Sequence, residues 1–347
     1  MTLKDISLLQ CLSTYRSQLM GVAIIWIMLF HSGIDAPNSF LLRALWYLFV
    51  GMGGGIGVDI FFILSGFGLV YSASKISGNS QWWTWEGKRM IRVLPSYLIV
   101  AIVAYSIQGG VNMNNILQFN FFKDGIRDFW FIPAIVICYW AFPFLFMLRK
   151  KTGMRQACAV ALLLTIALYC SIFFLSPEYY KKIEVFLLRI PCFIWGVYCG
   201  WLCKEKKARE YMWNIAASLV LCPFSIYLSF PGSDRWMFCF GTLIFLQILV
   251  ALLYFIRLKS LHTIFSYFGT RSLQIYLVHI GWGFLMARYV TEDPNIQLVI
   301  YFAGSFIVAE IISKIKTPIV PLVTTNNKKT LNDTWKINDT RCPEQSA

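Results

Sequence analysis

The chain has 347 residues, of which 58% are hydrophobic, 17% aromatic and 14% charged. Soluble domains carry about 25% charged residues and about 45–50% apolar ones, so this balance excludes an ordinary cytosolic enzyme, a disordered chain and a disulfide-dense secreted module. The 31 Lys and Arg against 17 Asp and Glu give a formal charge of +14. In a soluble protein that charge points to nucleic acid; in a lipid-embedded one it asks which side of the bilayer is basic.

A helix crosses the hydrocarbon core with roughly 20 apolar residues. In chain order the apolar runs are Ser17–Ile34, Ala44–Ser74 with the single charge Asp59, and Val93–Phe122, long enough for one span plus an outer loop. Phe129–Leu148, Gln156–Leu175, Ile190–Cys203, Tyr211–Phe230, Trp236–Ile256, Ser272–Ala287 and Pro294–Ala309 follow. The first run lacks a convincing small-x-small cleavage site after it and reads as a retained membrane helix, not a signal peptide. The sequence therefore predicts an all-α, polytopic integral membrane protein with about ten transmembrane helices. Loop charge supports that count: with ten spans, 23 of the 31 basic residues fall on the side shared by the two termini and 8 on the other. The positive-inside rule makes the richer side cytoplasmic, with both termini there. The expected organisation is one membrane domain over residues 1–313 and a polar, disordered cytoplasmic tail over 314–347, rich in Asn, Thr and Lys. The positive charge then serves topology and anionic lipid, and no nucleic-acid partner is expected.

Ten cysteines do not make a framework here. Cys138, Cys158, Cys170, Cys192, Cys199, Cys222 and Cys239 lie inside apolar runs, and no CxxC pair occurs. Buried thiols of this kind behave as small hydrophobes, so neither a disulfide set nor a metal site is expected.

Ionisable groups inside apolar spans are expensive and are functional candidates by default. They are few: His31, Asp59, His279, Glu310 and, at a span edge, Arg189. His31 closes the run Gly21–His31, and a neutral imidazole is a natural general base near pH 7. It equally suits a hydrogen-bonded helix end. Asp59 needs a partner, with His31 or an arginine as the candidates. With His31 it would orient the base, as in triad logic; with an arginine it would be a structural pair. Gly51, Gly53, Gly54, Gly55 and Gly57 lie just upstream. They lack a preceding strand and dinucleotide-binding spacing, and suit a broken or re-entrant helix whose backbone groups face protein or water. Arg89 and Arg92, three apart, share a helix face that can grip phosphates bidentately or anchor the cytoplasmic boundary. Tyr276 and His279 are also three apart and fit a shared cavity or helix–helix hydrogen bonds.

These residues together resemble the acyltransferase 3 family, integral-membrane enzymes that include many polysaccharide O-acetyltransferases. The resemblance spans most of the chain. It rests on the histidine ending Gly21–His31, then Gly57–Phe67 with Ser65, then Lys88, Arg89, Arg92, Pro95 and Tyr97. Trp130 and Pro133 with Tyr139 and Pro143 come next, followed by Arg189, Pro191, Phe193 and Gly196, and by Ser272–His279. The family places a basic residue eleven before the histidine, where this chain has Met20. Arg16 lies one turn earlier, at roughly 60° from His31 around the helix, and is expected to replace that charge.

The resemblance implies acyl transfer from acetyl-CoA, or another acyl-CoA, to a hydroxyl of a surface polysaccharide or other glycan, lipid-linked or free. His31 is then the general base with Asp59 beside it. Arg16, Arg89 and Arg92 hold the donor, and Ser65, Tyr139, Arg189, Tyr276 and His279 line or support the cavity. Acyl-CoA enters as a co-substrate and no bound cofactor is expected. The Gly-rich segment is the expected source of groups for the tetrahedral oxyanion. With no Ser or Cys nucleophile elbow, direct transfer is expected without a covalent enzyme intermediate. The expected location is the plasma or inner membrane, with multiple passes. A second reading of the same intramembrane residues is a proton-coupled transporter or flippase that uses His31, Asp59 and His279 as a relay.

Overall fold

A computed structural model describes residues 8–32, 40, 43, 55–78, 81–229, 238–256, 258–289 and 294–323; side chains are described within 8–32, 40, 43, 55–78, 81–221, 241–256, 258–281 and 299–315. The described elements are helical. They are α1 (Leu8–Thr14), α2 (Arg16–His31), α3 (Gly55–Ala73), α4 (Gln81–Gln108), α5 (Met113–Ile116), α6 (Phe119–Asp124), α7 (Phe131–Thr152) and α8 (Met154–Leu175). They continue with α9 (Pro177–Leu187), α10 (Ile190–Lys204), α11 (Ala208–Ser229), α12 (Phe238–Phe255), α13 (Lys259–Thr270), α14 (Ser272–Tyr289) and α15 (Pro294–Val323).

Each apolar run named above holds a helix. Among the described residues five helical stretches are long and apolar enough to cross a membrane: α3, α4, α7, α8 and the pair α9–α10, Pro177–Lys204. The count is six when α1 and α2, bent by 73° at Tyr15, are taken as one broken span. The protein is thus a multi-pass membrane protein by helix length and composition. Three features were read differently in the sequence. The helix expected within 93–122 begins at Gln81, so Lys88, Arg89 and Arg92 belong to a span helix and not to the loop before it. The charged segment after α8 forms the amphipathic helix α9, opened by Pro177 at its first turn, where a missing N–H costs nothing. The last helix runs to Val323, past the expected boundary at 313, and the rest of the tail lies outside the described residues.

The centre of the bundle is α3. Over its apolar window 83% of residues are buried, against 11% in α8, which faces outward along almost its whole length. Lipid supplies no hydrophobic force between helices, so close packing of small residues takes over. The α3–α10 seam shows this. A Cβ on Gly196 would strike the Ile63 carbonyl, one on Gly66 the Phe193 carbonyl, and one on Gly200 would lie 2.6 Å from the Phe67 carbonyl. A second seam joins α2 to α13, where Gly21 faces the Phe265 carbonyl and Gly269 the Ser17 carbonyl at the same close range. Gly57 completes the contact of α3 with α2 through Ala23 and Ile27. Of the glycines expected to break a helix, Gly55 and Gly57 lie inside the continuous α3, and Gly51, Gly53 and Gly54 fall outside the described residues. The break in the first span is at Tyr15 instead.

A cap outside the spans closes one end of the bundle. The Gln118 side chain donates to Tyr97 and Tyr105 at 3.0 and 3.1 Å, and Tyr97 donates to the Ile116 carbonyl at 2.7 Å. These bonds hold Gln118 in a left-handed conformation, φ 58°, rare for a residue with a side chain. Burial raises the nearby Asp128 carboxyl above its ordinary range, opposed by a hydrogen bond from Tyr105. Arg127 and Lys182 tie α9 to this cap through Glu184 and the Lys123 carbonyl.

Candidate functional site

Helix α2 carries a candidate group at each end: Arg16 at its first residue and His31 at its last. Fifteen residues separate them, about 22 Å along a straight helix.

At the first end lies an arginine cluster. The Arg16 Nε donates to the Leu64 carbonyl of α3 at 3.1 Å. Gly68 makes this docking possible, since a Cβ there would sit 2.8 Å from the Arg16 Nη2. The anchor fixes one edge of the guanidinium and leaves its Nη nitrogens as donors. Arg16 and Arg89 lie within electrostatic range of Arg92 and Arg89 of Glu86, and all three arginines approach Tyr139. Three cations from α2 and α4 therefore converge on a tyrosine of α7. Arg89 stacks over the Trp85 ring at 5.0 Å, while its Nε is buried without a hydrogen-bond partner among the described residues. Pro95 and Pro143 lack an N–H, which releases the Ile91 and Tyr139 carbonyls from the helical ladder beside the cluster. Glu86 is buried at 5% exposure, with neither carboxylate oxygen hydrogen-bonded among the described residues. Three like charges with one carboxylate among them form a site for an anion.

At the other end His31 meets His279 of α14, with ring centroids 5.3 Å apart. The His31 Nδ1 lies 2.9 Å from the Ile27 carbonyl, and the His279 Nδ1 lies 3.2 Å from the Ile275 carbonyl. A carbonyl only accepts, so each Nδ1 carries the hydrogen and each Nε2 keeps its lone pair, the form a general base needs. His31 is open to the surface, whereas His279 is 1% exposed. Tyr276 packs on His279 and on Phe131 at 5.4 and 5.0 Å. Tyr301 of α15 lies 6.5 Å from His279 and donates to the Met28 carbonyl at 3.3 Å, joining α15 to α2.

Asp59 belongs to neither group. Its Oδ1 meets the Arg189 Nε at 2.9 Å, and its Oδ2 accepts from Thr242 at 2.9 Å and the carboxylate also accepts from Cys192. Asp59 and Arg189 are both buried, and Gly55 clears space for the guanidinium, since a Cβ there would lie 2.8 Å from Nη2. Of the two partners the sequence allowed, the arginine is the one present. No contact joins Asp59 to His31 among the described residues. Glu310 is likewise engaged, paired with Arg271 and accepting from Tyr267 at 3.0 Å. Ser65 is buried in α3, and no disulfide joins the described cysteines.

Glu86, Thr242 and Tyr301 were not singled out in the sequence. Glu86 carried a usable signal, an acid three residues before Arg89 on one helix face. Thr242 and Tyr301 carried none, because a lone hydroxyl in an apolar run looks the same whether or not it meets a carboxylate or a backbone carbonyl across the bundle.

A family model described as an acyltransferase domain matches residues 19–314. No curated protein and no solved structure matches the chain.

Proposed function

Because the chain belongs to this acyltransferase-domain family, with residues 19–314 inside the match, we propose that it moves an acetyl group from acetyl-CoA to a hydroxyl of a surface glycan. The observation that carries this reading is the layout of α2, with an anion site at Arg16 and an unprotonated imidazole nitrogen at His31. The donor's phosphates bind Arg16, Arg89 and Arg92, with Tyr139 between them. Its pantetheine arm runs along α2 toward His31, over a distance of about 22 Å. Direct transfer needs one base. The His31 Nε2 takes the proton from the acceptor hydroxyl, the oxygen attacks the thioester carbon, and the thiolate departs. The acceptor is a polysaccharide or a lipid-linked saccharide.

In this reading the chain crosses the plasma or inner membrane ten times, with both termini in the cytoplasm. The donor mouth then faces the cytosol, where acetyl-CoA is made. Four helices beyond the six counted by length and hydropathy support this topology: α11, α12, α14 and α15, each overlapping an apolar run. Arg16 acts in place of the family's basic residue at position 20. Its inclusion in the electrostatic cluster of Arg89 and Arg92 supports that substitution.

The test is incubation of membranes with labelled acetyl-CoA and the cell's surface glycan. Label should reach glycan when the protein is present and fall to background with His31→Ala at equal protein level. Label that never exceeds the protein-free background, or full transfer by His31→Ala, overturns the proposal.

A further inference from the structure

The proposed reaction leaves one requirement unmet. When His31 accepts a proton it becomes an imidazolium at the end of the apolar helix α2, where a lone charge is costly. In a Ser-His-Asp site a carboxylate answers that charge. Here the carboxylate that the sequence offered, Asp59, is engaged by Arg189, Thr242 and Cys192.

His279 is the group left over. Its ring is 1% exposed and lies 5.3 Å from that of His31, centroid to centroid. Its Nδ1–H is committed to the Ile275 carbonyl, so its Nε2 is an acceptor, and that atom is buried without a partner among the described residues. A buried acceptor left unpaired is costly, so its retention calls for an explanation. Among the described residues, Tyr276 and Tyr301 are its other ring neighbours. A third metal ligand is absent too, since no group of three His, Cys, Asp or Glu occurs among the described residues.

Resting on the acyl-transfer reading, we propose that His279 acts through His31 by sharing the transferred proton between two Nε2 atoms. The acceptor O–H bond breaks and its proton goes to the His31 Nε2, while the oxygen's electron pair forms the C–O bond to the thioester carbon. The proton is held between the two imidazoles, whose ring centroids lie 5.3 Å apart, through one bridging water. When the C–S bond breaks, sulfur leaves with its electron pair and takes the proton back. His31, open to the surface, meets the substrate; His279, buried behind it, does not.

The test is steady-state acetyl transfer by His279→Gln, which fills the site and keeps an acceptor but holds no proton. The expected result is a fall in kcat of about 10–100-fold, with KM for acetyl-CoA and for the acceptor unchanged. His279→Ala should lose at least as much and regain rate when imidazole is added, an effect that no purely structural role produces. Wild-type kcat in His279→Gln, a defect confined to KM, or a folded His279→Ala that ignores imidazole overturns the inference. In each of these the wild-type protein still transfers acetyl, so the function stands; a wild-type protein that transfers none removes the function itself.

Discussion

Two charged centres lie within the helical bundle, and they are built on opposite principles. Around Asp59 opposite charges meet: Arg189, just before α10, pairs with a carboxylate that also accepts from Thr242 of α12 and Cys192 of α10. Around Tyr139 like charges gather: Arg16, Arg89 and Arg92 come together with Glu86 beside Arg89, and the Arg89 Nε is buried without a hydrogen-bond partner among the described residues. The first centre is saturated in charge and fixes which helices meet. The second is unsaturated in that sense: a cluster of one sign carries surplus charge that an anion can answer. Burial and charge are shared by both centres; what separates structure from binding is whether the charges balance.

The largest expected effect breaks the saturated centre. Asp59→Ala leaves the Arg189 guanidinium buried and uncompensated, at a cost of about 3–5 kcal/mol. The yield of folded protein and its thermal midpoint in detergent should drop sharply. The double variant Asp59→Leu with Arg189→Met should recover most of that loss and retain acetyl transfer. A stable double variant with no transfer would instead make Asp59 part of the chemistry.

The unsaturated centre should respond in the other way. Arg16→Ala removes charge-assisted bonds worth about 1.5–3 kcal/mol, or about 10–100-fold in KM for acetyl-CoA, while the protein remains folded. Relief of repulsion among the three arginines should leave its thermal midpoint no lower. Adding Met20→Arg to Arg16→Ala should restore part of the donor affinity, and a titration with acetyl-CoA would show no recovery if the two positions are not equivalent.

Smaller effects probe the glycines that serve each centre. Gly196→Ala presses a methyl group on the Ile63 carbonyl in the α3–α10 seam, an overpacking that costs about 1–3 kcal/mol and lowers the thermal midpoint. Gly68→Ala meets only the end of the flexible Arg16 side chain. It should leave stability within about 0.5 kcal/mol and raise KM for acetyl-CoA a few-fold at most. A stability loss at Gly68 as large as at Gly196 would place Arg16 in the structural class.

The helical bundle was legible because spans are written in local composition. Each apolar run between Ser17 and Ala309 holds a helix, and Arg89 and Arg92 share a helix as their spacing implied. Long-range pairing was not legible. Asp59 and Arg189 are 130 positions apart, and nothing local chooses between Arg189 and His31 as the partner. The glycines near Asp59 were read as a break because a run of small residues has the same composition in a bent helix and in a packing seam. The difference lies in what faces them: Gly57 packs on the Ala23 carbonyl and Ile27 of α2, and Gly55 on the Arg189 guanidinium. The same limit hid α9, whose charges suggest a loop until Tyr180, Ile183 and Phe186 are seen buried on one face.

The most direct test of the division between binding and chemistry is made on His31→Ala, with acetyl-CoA binding and acetyl transfer measured on one membrane preparation. The arginine cluster lies about 22 Å from that imidazole along α2. The donor should therefore bind with wild-type affinity while transfer to glycan falls to background. Transfer that persists in His31→Ala would contradict the account.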